Sequence, residues 1–533
     1  MKQSGVFIPA AETSNRCSAD RLLTQSGYIQ ETSEGMYAYF PLAGKVLANM
    51  KQMIRDEMEQ AGVLEVDLPY EQFEHATGKS DEMVLLSLIA KEVIASEQLP
   101  ISMFHIKQHI RPDSSFDPVR GLLAAKEFSL MSGYSFHTDI KEAEEHGTLL
   151  HSVFSAVFNR IGTPFSILES EQQAGVKQYE FTAFSECGDE WIARNESGTY
   201  AAKAALAEAP RQEREAGVRE KPAKKINGGG MDVVQLAESL DIDQDRIIRS
   251  YLYDTDDGAV LVLIRNDCEL NEWKLKKVLG TDSICRLTDG SVKEVLGVQS
   301  ETLGPVQLPF GFRVIADYSV ETVVNGLCGA NETDTFLQNV NPERDFTADT
   351  YADLRLVKEG EPSPDGNGTL TFHKAVTVAR ILDPKPVFST IDVAGKGSLE
   401  ISTGYYYIDV TRLFAVTAEY FSDESGLKWP VRLAPYDIHL LIEDTDDDAQ
   451  LQLADELNSV MKGYRYRVLY DDRHVSAESK QRTSDQLGVP VKIAVDGRAA
   501  DGFVEVTYRT AGTHFQWRKE EVTEKLQEFF RMG

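Results

Sequence analysis

The sequence predicts a multidomain α/β protein, on three observations. The chain has 533 residues, too many for one hydrophobic core, which suggests roughly three or four domains. From Ala434 onward, strand and helix patterns alternate, as in a small sheet layered with helices. Composition also changes twice, near residue 201 and over residues 359–368, and these changes mark the edges of an intervening piece.

The elements follow in chain order. Residues 19–27 carry Leu22 and Leu23 and close on Gly27, placed to end a helix in the left-handed conformation. Residues 44–62 repeat Val46, Leu47, Met50, Met53, Ile54 and Met58 at helical spacing. Strand-like runs come next, at residues 64–68 and 101–106. Residues 201–230 are rich in Ala, Glu, Lys and Arg and close on Asn227 and three glycines. They read as a helical arm and then a flexible linker. A compact α/β pattern runs from Met231 to about Asp353, with helices over 233–240 and 270–279 and a strand over 259–264. A polar stretch with Pro362, Pro364 and three glycines leads into β-rich residues 370–409, with a hairpin turn at residues 395–397. The last region gives strands at 438–442, 467–470 and 491–494, with helices at 449–461 and from Glu520.

Hydrophobic content of 42 % and charged content of 26 % fit a soluble globular protein. No apolar run reaches the roughly eighteen residues a membrane span needs, and the first residues lack the apolar centre of a secretory signal. Five cysteines (Cys17, Cys187, Cys268, Cys285, Cys328) include no CxxC pair. That spacing argues against a zinc site or a disulfide framework and fits a cytoplasmic protein. With 55 Lys and Arg against 85 Asp and Glu, the net charge is −30. An acidic balance opposes non-specific binding to nucleic acid, although a local basic face can still meet RNA.

Several motifs stand out. They are the stretch from Arg21 to Gly62, RNDCELNEWKLKKVLG at 265–280 with GANETD and NVNPERD after it, LAPYDIHL at 433–440, YDDR at 470–473, and GRAADGFVEV at 497–506. In this order, and over nearly the whole chain, they resemble bacterial prolyl-tRNA synthetases. The resemblance implies a class II synthetase: an antiparallel-sheet catalytic core in two sequence pieces, residues 1–205 and 371–434. Residues 206–370 would be a linker and an inserted α/β editing-like domain, and residues 435–533 a C-terminal α/β anticodon-binding-like domain. It further implies activation of proline or a similar amino acid with ATP and Mg²⁺, transfer to tRNA, and a homodimer.

Roles carry over residue by residue. Arg111 stands at the arginine of the family's Arg-x-Glu motif, which faces charge building on the α-phosphate, and Asp113 at the glutamate that accepts from adenine. Lys126 and Phe128 stand in the Arg-Glu-Phe motif whose phenylalanine packs on adenine, while Ala124 replaces a loop arginine. Arg412 matches the arginine that meets the γ-phosphate. Ser80 and Glu82 match the hydroxyl and carboxylate that hold the proline ammonium. Tyr179, Glu180 and Phe181 match the His-Glu-Phe motif. Bland explanations stand beside these: Ser80 with Glu82 is a good helix cap, and Phe128 also fits simple core packing. In the inserted domain Lys274 matches the lysine central to editing, and Gly304 with Pro305 the family's loop, while Phe336 replaces a histidine. Arg473, Lys480 and Arg498 are the expected tRNA contacts, at phosphates.

Two departures bear on ATP. The family's third motif, Gly-Cys-Tyr-Gly-Ile-Gly-Val-Ser-Arg, reads here from Gly404 to Arg412 with Tyr407 and Asp409 in place of glycines. Tyr407 adds a ring where backbone would approach the ligand. Asp409 puts a carboxylate where a polyanion would lie. Upstream, a Gly-His pair becomes Ala379 and Arg380. Weak or absent ATP binding is expected. Three functions stay open: a working proline–tRNA ligase, a paralogue that binds proline or a related amino acid without charging tRNA, and an editing-only deacylase.

Overall fold

Helix α1 (Ser18–Gln25) stops where Gly27 takes φ 69°, and the Tyr28 N–H donates back to the Leu23 carbonyl at 2.9 Å, a left-handed cap. Helix α2 (Pro41–Gln60) begins on proline, whose missing N–H costs nothing at a helix start. It buries Leu42, Val46, Met50, Met53, Ile54 and Met58 along one face. The computed structural model describes residues 1–7, 17–68, 81–92, 98–111, 116–171, 177–211, 221–281, 283–308, 311–382, 389–393 and 397–532. Ser80, Asp113 and the centre of the 395–397 turn lie outside the described residues, as does the side chain of Glu82. The chain divides into two units, residues 1–190 with 374–533, and residues 191–373.

In the first unit, α3 (Asp81–Glu92), β1 (Ile101–Ile110), β2 (Glu127–His137), α4 (Ile140–Ile161), β3 (Ser166–Glu171) and β4 (Lys177–Phe184) come before the second unit in sequence. After it come β5 (Leu370–Leu382), β6 (Gly397–Asp409) and α5 (Val410–Tyr420). The strand order is Leu64–Glu65, β1, β2, β6, β5, β4, β3. The first pairing is parallel and the rest antiparallel. β5 and β6 thus enter the middle of a sheet whose other strands precede them by almost two hundred positions or more. One face buries Phe104, Met131, Phe181, Ile381, Tyr406 and Ile408 against Phe154 and Phe158 of α4 and Leu413 of α5. Gly133 leaves room for this packing: a Cβ there would lie 2.0 Å from the Tyr406 ring.

The same unit continues with β7 (Ile438–Ile442), α6 (Asp448–Gly463), β8 (Val468–Asp471), α7 (Ala477–Leu487), β9 (Val491–Val495), β10 (Phe503–Tyr508), β11 (Thr513–Arg518) and α8 (Val522–Met532). Their sheet runs β8-β7-β9-β10-β11, parallel across the first three strands and antiparallel after. Every residue of β7 and β9 is buried, which is why both read as unbroken apolar runs.

The second unit holds two sheets. Ile284–Arg286, Ile248–Thr255, Gly258–Arg265, Arg313–Asp317 and Thr350–Ala352 form one in that order, and Lys224–Asn227, Thr335–Val340 and Gly326–Gly329 the other. The expected helices are present as Val233–Ser239 and Glu272–Leu279. The helical arm over 201–230 is corrected: its described residues contain no helix. Ala201–Lys203 is a strand paired with residues 192–194, and Lys224–Asn227 pairs with residues 335–338. Helix propensity is a weak prior beside strand edges that need partners. Among the described residues no helix is long and apolar enough to cross a membrane.

Candidate active site

Side chains alternate along a strand, so the register decides which residues share a face. One row crosses the large sheet as His105, Ser132, Tyr407, Arg380 and Glu180. Neighbouring rows carry Met103, Tyr134, Tyr405, Leu382 and Gln178 on one side, and Lys107, Leu130 and Asp409 on the other. All lie on the face opposite the helix-packed core. Tyr179 and Phe181 point the other way. Phe181 is fully buried and stacks on Phe158 (5.5 Å) and Phe165 (5.8 Å), and Tyr179 meets the edge of the His151 ring at 5.7 Å. Of Tyr179, Glu180 and Phe181, expected together in one pocket, only Glu180 lies on this face. Alternation sends the outer two into the core.

Asp409 organises this face. It is the N-cap of α5, accepting from the Arg412 N–H at 2.9 Å, a standard use of aspartate at a helix start. Its other oxygen accepts from Arg111 Nη2 at 2.5 Å and lies 3.5 Å from Arg412 Nε. Asp409 is 4 % exposed and Arg111 15 %, so the pair is shielded from solvent and only weakly screened. Burial pulls the Arg111 pKa below its ordinary value, against the pull of Asp409. Arg111 also donates to the Ala125 carbonyl (3.1 Å) and covers the Phe128 ring 3.9 Å from its centroid. Arg412 donates from Nε to the Leu123 carbonyl and from Nη1 to the Thr377 carbonyl, both at 3.0 Å. The two arginines expected at phosphates and the phenylalanine expected at adenine are thus engaged with each other and with Asp409. Lys126 lies 4.0 Å from Glu34 and over the Phe116 ring at 5.5 Å.

Glu180 is fully buried, accepting from Gln178 (2.9 Å), Thr377 (3.3 Å) and Arg380 (3.1 Å). Asp81, in the first turn of α3, lies 3.1 Å from His105 and 3.2 Å from Lys107. Burial alone would raise its pKa, but the His105 hydrogen bond and charge and the Lys107 ammonium outweigh it and hold it at about 2. The sequence reading singles out neither His105, Lys107 and Ser132 nor the Asp81 pairing. The available signal was polar residues at every second position, His105, Lys107 and His109, inside a strand.

In the second unit Lys274, expected at the editing site, lies in the interior. Its ammonium donates to the carbonyls of Ala207 (2.7 Å) and Arg355 (2.8 Å) and to Asp353 (2.8 Å) at 6 % exposure. An ammonium has three donors, and all are used. Burial lowers its pKa, with Asp353 opposing. Phe336 packs with Leu327, Val233 and Leu236. A cavity of about 220 Å³ in this unit is lined by Asp232, Ser250, Arg286, Glu301 and Gly329 among others, not by Lys274.

The expected tRNA contacts are also redistributed. Lys480 is 1 % exposed and donates to the Ile442 carbonyl at 2.6 Å, so it fastens α7 to the end of β7. Arg473 forks onto buried Asp471 at 2.8 and 2.6 Å. Arg498, 40 % exposed, is paired with Asp496 and Glu505.

Residues 228–346 match the aminoacyl-tRNA editing domain family, and residues 431–529 the anticodon binding domain family. Across 100 % of both chains, the protein is 34 % identical to the proline–tRNA ligase of Lysinibacillus sphaericus (strain C3-41). The chain belongs to the proline–tRNA ligase family. The proline–tRNA ligase of Bacillus subtilis (strain 168) is 33 % identical, over 96 % of this chain and 97 % of that relative. Among solved structures, the prolyl-tRNA synthetase from Cryptosporidium parvum complexed with L-proline and AMP matches with TM-score 0.50 and 12 % identity, over 96 % of this chain and 78 % of that one. At that identity the match speaks for the fold alone. A mixed, mainly antiparallel core with an editing region and an anticodon-binding region is the class II architecture. This member of the proline–tRNA ligase family carries an internal carboxylate, Asp409, between Arg111 and Arg412.

Proposed function

We propose that the chain carries out the proline–tRNA ligase reaction from a nucleotide site that its own Asp409 occupies at rest. Full-length kinship supports the reaction: proline or a similar amino acid activated with ATP and Mg²⁺, then transferred to tRNA. The Asp409 bond to Arg111 carries the second half of the proposal. Arg111 and Arg412 are the groups that would offset phosphoryl charge, and a ligand must take them from Asp409. ATP binding is therefore weak. The same proposal treats residues 1–205 with 371–434 as catalytic core, 206–370 as linker and editing-like domain, and 435–533 as anticodon-binding-like domain, in a cytoplasmic homodimer.

Proline-dependent exchange of pyrophosphate into ATP tests the reaction. Exchange that keeps rising as ATP passes about 1 mM, the upper end of common KM values, is the expected result. Saturation at low micromolar ATP would overturn the self-occupied site. The Asp409 pair also favours a second function, an amino-acid-binding paralogue that does not charge tRNA. Absence of exchange at any ATP concentration, with proline binding retained, decides for it.

A further inference from the structure

We propose that Arg380 recognises the substrate's α-carboxylate. This rests on the amino-acid substrate proposed above and names the residue that selects it. The register sets Arg380 directly between Tyr407 and Glu180 on the open face. Its Nη2 lies 3.1 Å from Glu180 Oε1, and its Nε is buried without a hydrogen-bond partner. The side chain is 29 % exposed while Glu180 is fully buried. Glu180, fixed by Gln178 and Thr377, thus cannot touch a ligand. It acts as a positioning residue that grips one edge of the guanidinium.

A guanidinium has five donors in a rigid fork matched to a carboxylate. Arg111 divides its donors between Asp409 and the Ala125 carbonyl, and Arg412 between Asp409 and two carbonyls. Arg380 has spent the least. Burial raises the Tyr407 pKa, which keeps its hydroxyl protonated beside the same fork as a second donor. Local charge favours a carboxylate over a phosphate chain. Arg380 and Glu180 sum to zero, so a single negative charge gains the fork, while a polyanion would extend toward the Asp409 carboxylate in the neighbouring row.

Calorimetry with L-proline and with prolinamide, which lacks the carboxylate, tests this on the full chain. Wild type should bind proline at least tenfold more tightly than prolinamide. Arg380→Gln should abolish that preference, and Arg380→Lys, a point charge without the fork, should keep only part of it. If Arg380→Gln fails to fold, the lysine variant and the wild-type ratio still decide. A ratio near one in wild type, or an unchanged ratio in either variant, overturns the role of Arg380 and leaves the ligase proposal standing. No proline binding by wild type overturns the amino-acid substrate itself, and this inference with it.

Discussion

Replacing Lys274 with methionine separates an interior lysine from a catalytic one. Methionine keeps the methylene packing and removes the ammonium, leaving the carbonyls of Ala207 and Arg355 and the Asp353 carboxylate without their shared donor. Asp353 already has one buried oxygen, Oδ1, with no partner. Breaking a buried charge pair from one side costs about 3–5 kcal/mol. For a unit the size of residues 191–373, each kilocalorie lowers the melting temperature by about 2–4 °C, so a fall of roughly 6–20 °C is expected. Differential scanning calorimetry of the full chain reads it as a downward shift of one transition. A catalytic lysine gives the opposite pattern. If Lys274→Met melts within about 2 °C of wild type yet loses deacylation of mischarged tRNA, a purely interior role is refuted and the editing role supported.

Three further outcomes follow from the geometry. Asp81, held at about 2 against its ordinary 3.8, gives stability that is complete above about pH 4 and lost as pH falls toward about 2. Asp81→Asn should therefore melt lower at pH 7 and decline less steeply over that window, and parallel curves would refute the pair. His439 is fully buried, its pKa pushed down to about 3 by burial, between Ser484 (2.9 Å) and the Gln3 amide nitrogen (2.8 Å). A histidine kept neutral in the fold costs stability as pH falls from about 6.5 toward 3. His439→Gln should flatten that slope in urea titrations, whereas an unchanged slope would show that His439 does not set it. Lys480→Met should lower stability by about 1–3 kcal/mol, the cost of one orphaned carbonyl, and leave tRNA affinity in filter binding unchanged. A tenfold affinity loss without destabilisation would return Lys480 to the RNA surface.

How much was legible depends on the range of the cause. The α2 stripe of Val46, Met50, Met53 and Ile54 and the Gly27 cap are local patterns, and both are found where the sequence puts them. The apolar run at 438–442 and the alternation after Ala434 likewise needed only neighbours in sequence. Arg111 and Asp409 lie 298 positions apart, and no periodicity announces their bond. The one local sign was an aspartate three residues before Arg412, a helix cap in prospect. Strand alternation could have separated Glu180 from Tyr179 and Phe181, because three consecutive residues of a strand cannot all face one ligand. The burial of Lys274 and Lys480 was illegible for a shared reason. Helical lysines usually face solvent, and only the tertiary structure brings carbonyls to their ammonium groups.

The self-occupied nucleotide site is tested most directly by calorimetry of ATP with Mg²⁺ on wild type and Asp409→Asn. Asparagine caps a helix about as well as aspartate, so α5 is kept while the charge that holds Arg111 and Arg412 is removed. Each arginine released to a phosphate adds a charge-assisted hydrogen bond of about 1.5–3 kcal/mol, or roughly ten- to a hundredfold in affinity. The expected result is weak binding by wild type and at least tenfold tighter binding by Asp409→Asn. Micromolar affinity in wild type, or equal affinity in the two proteins, would contradict it.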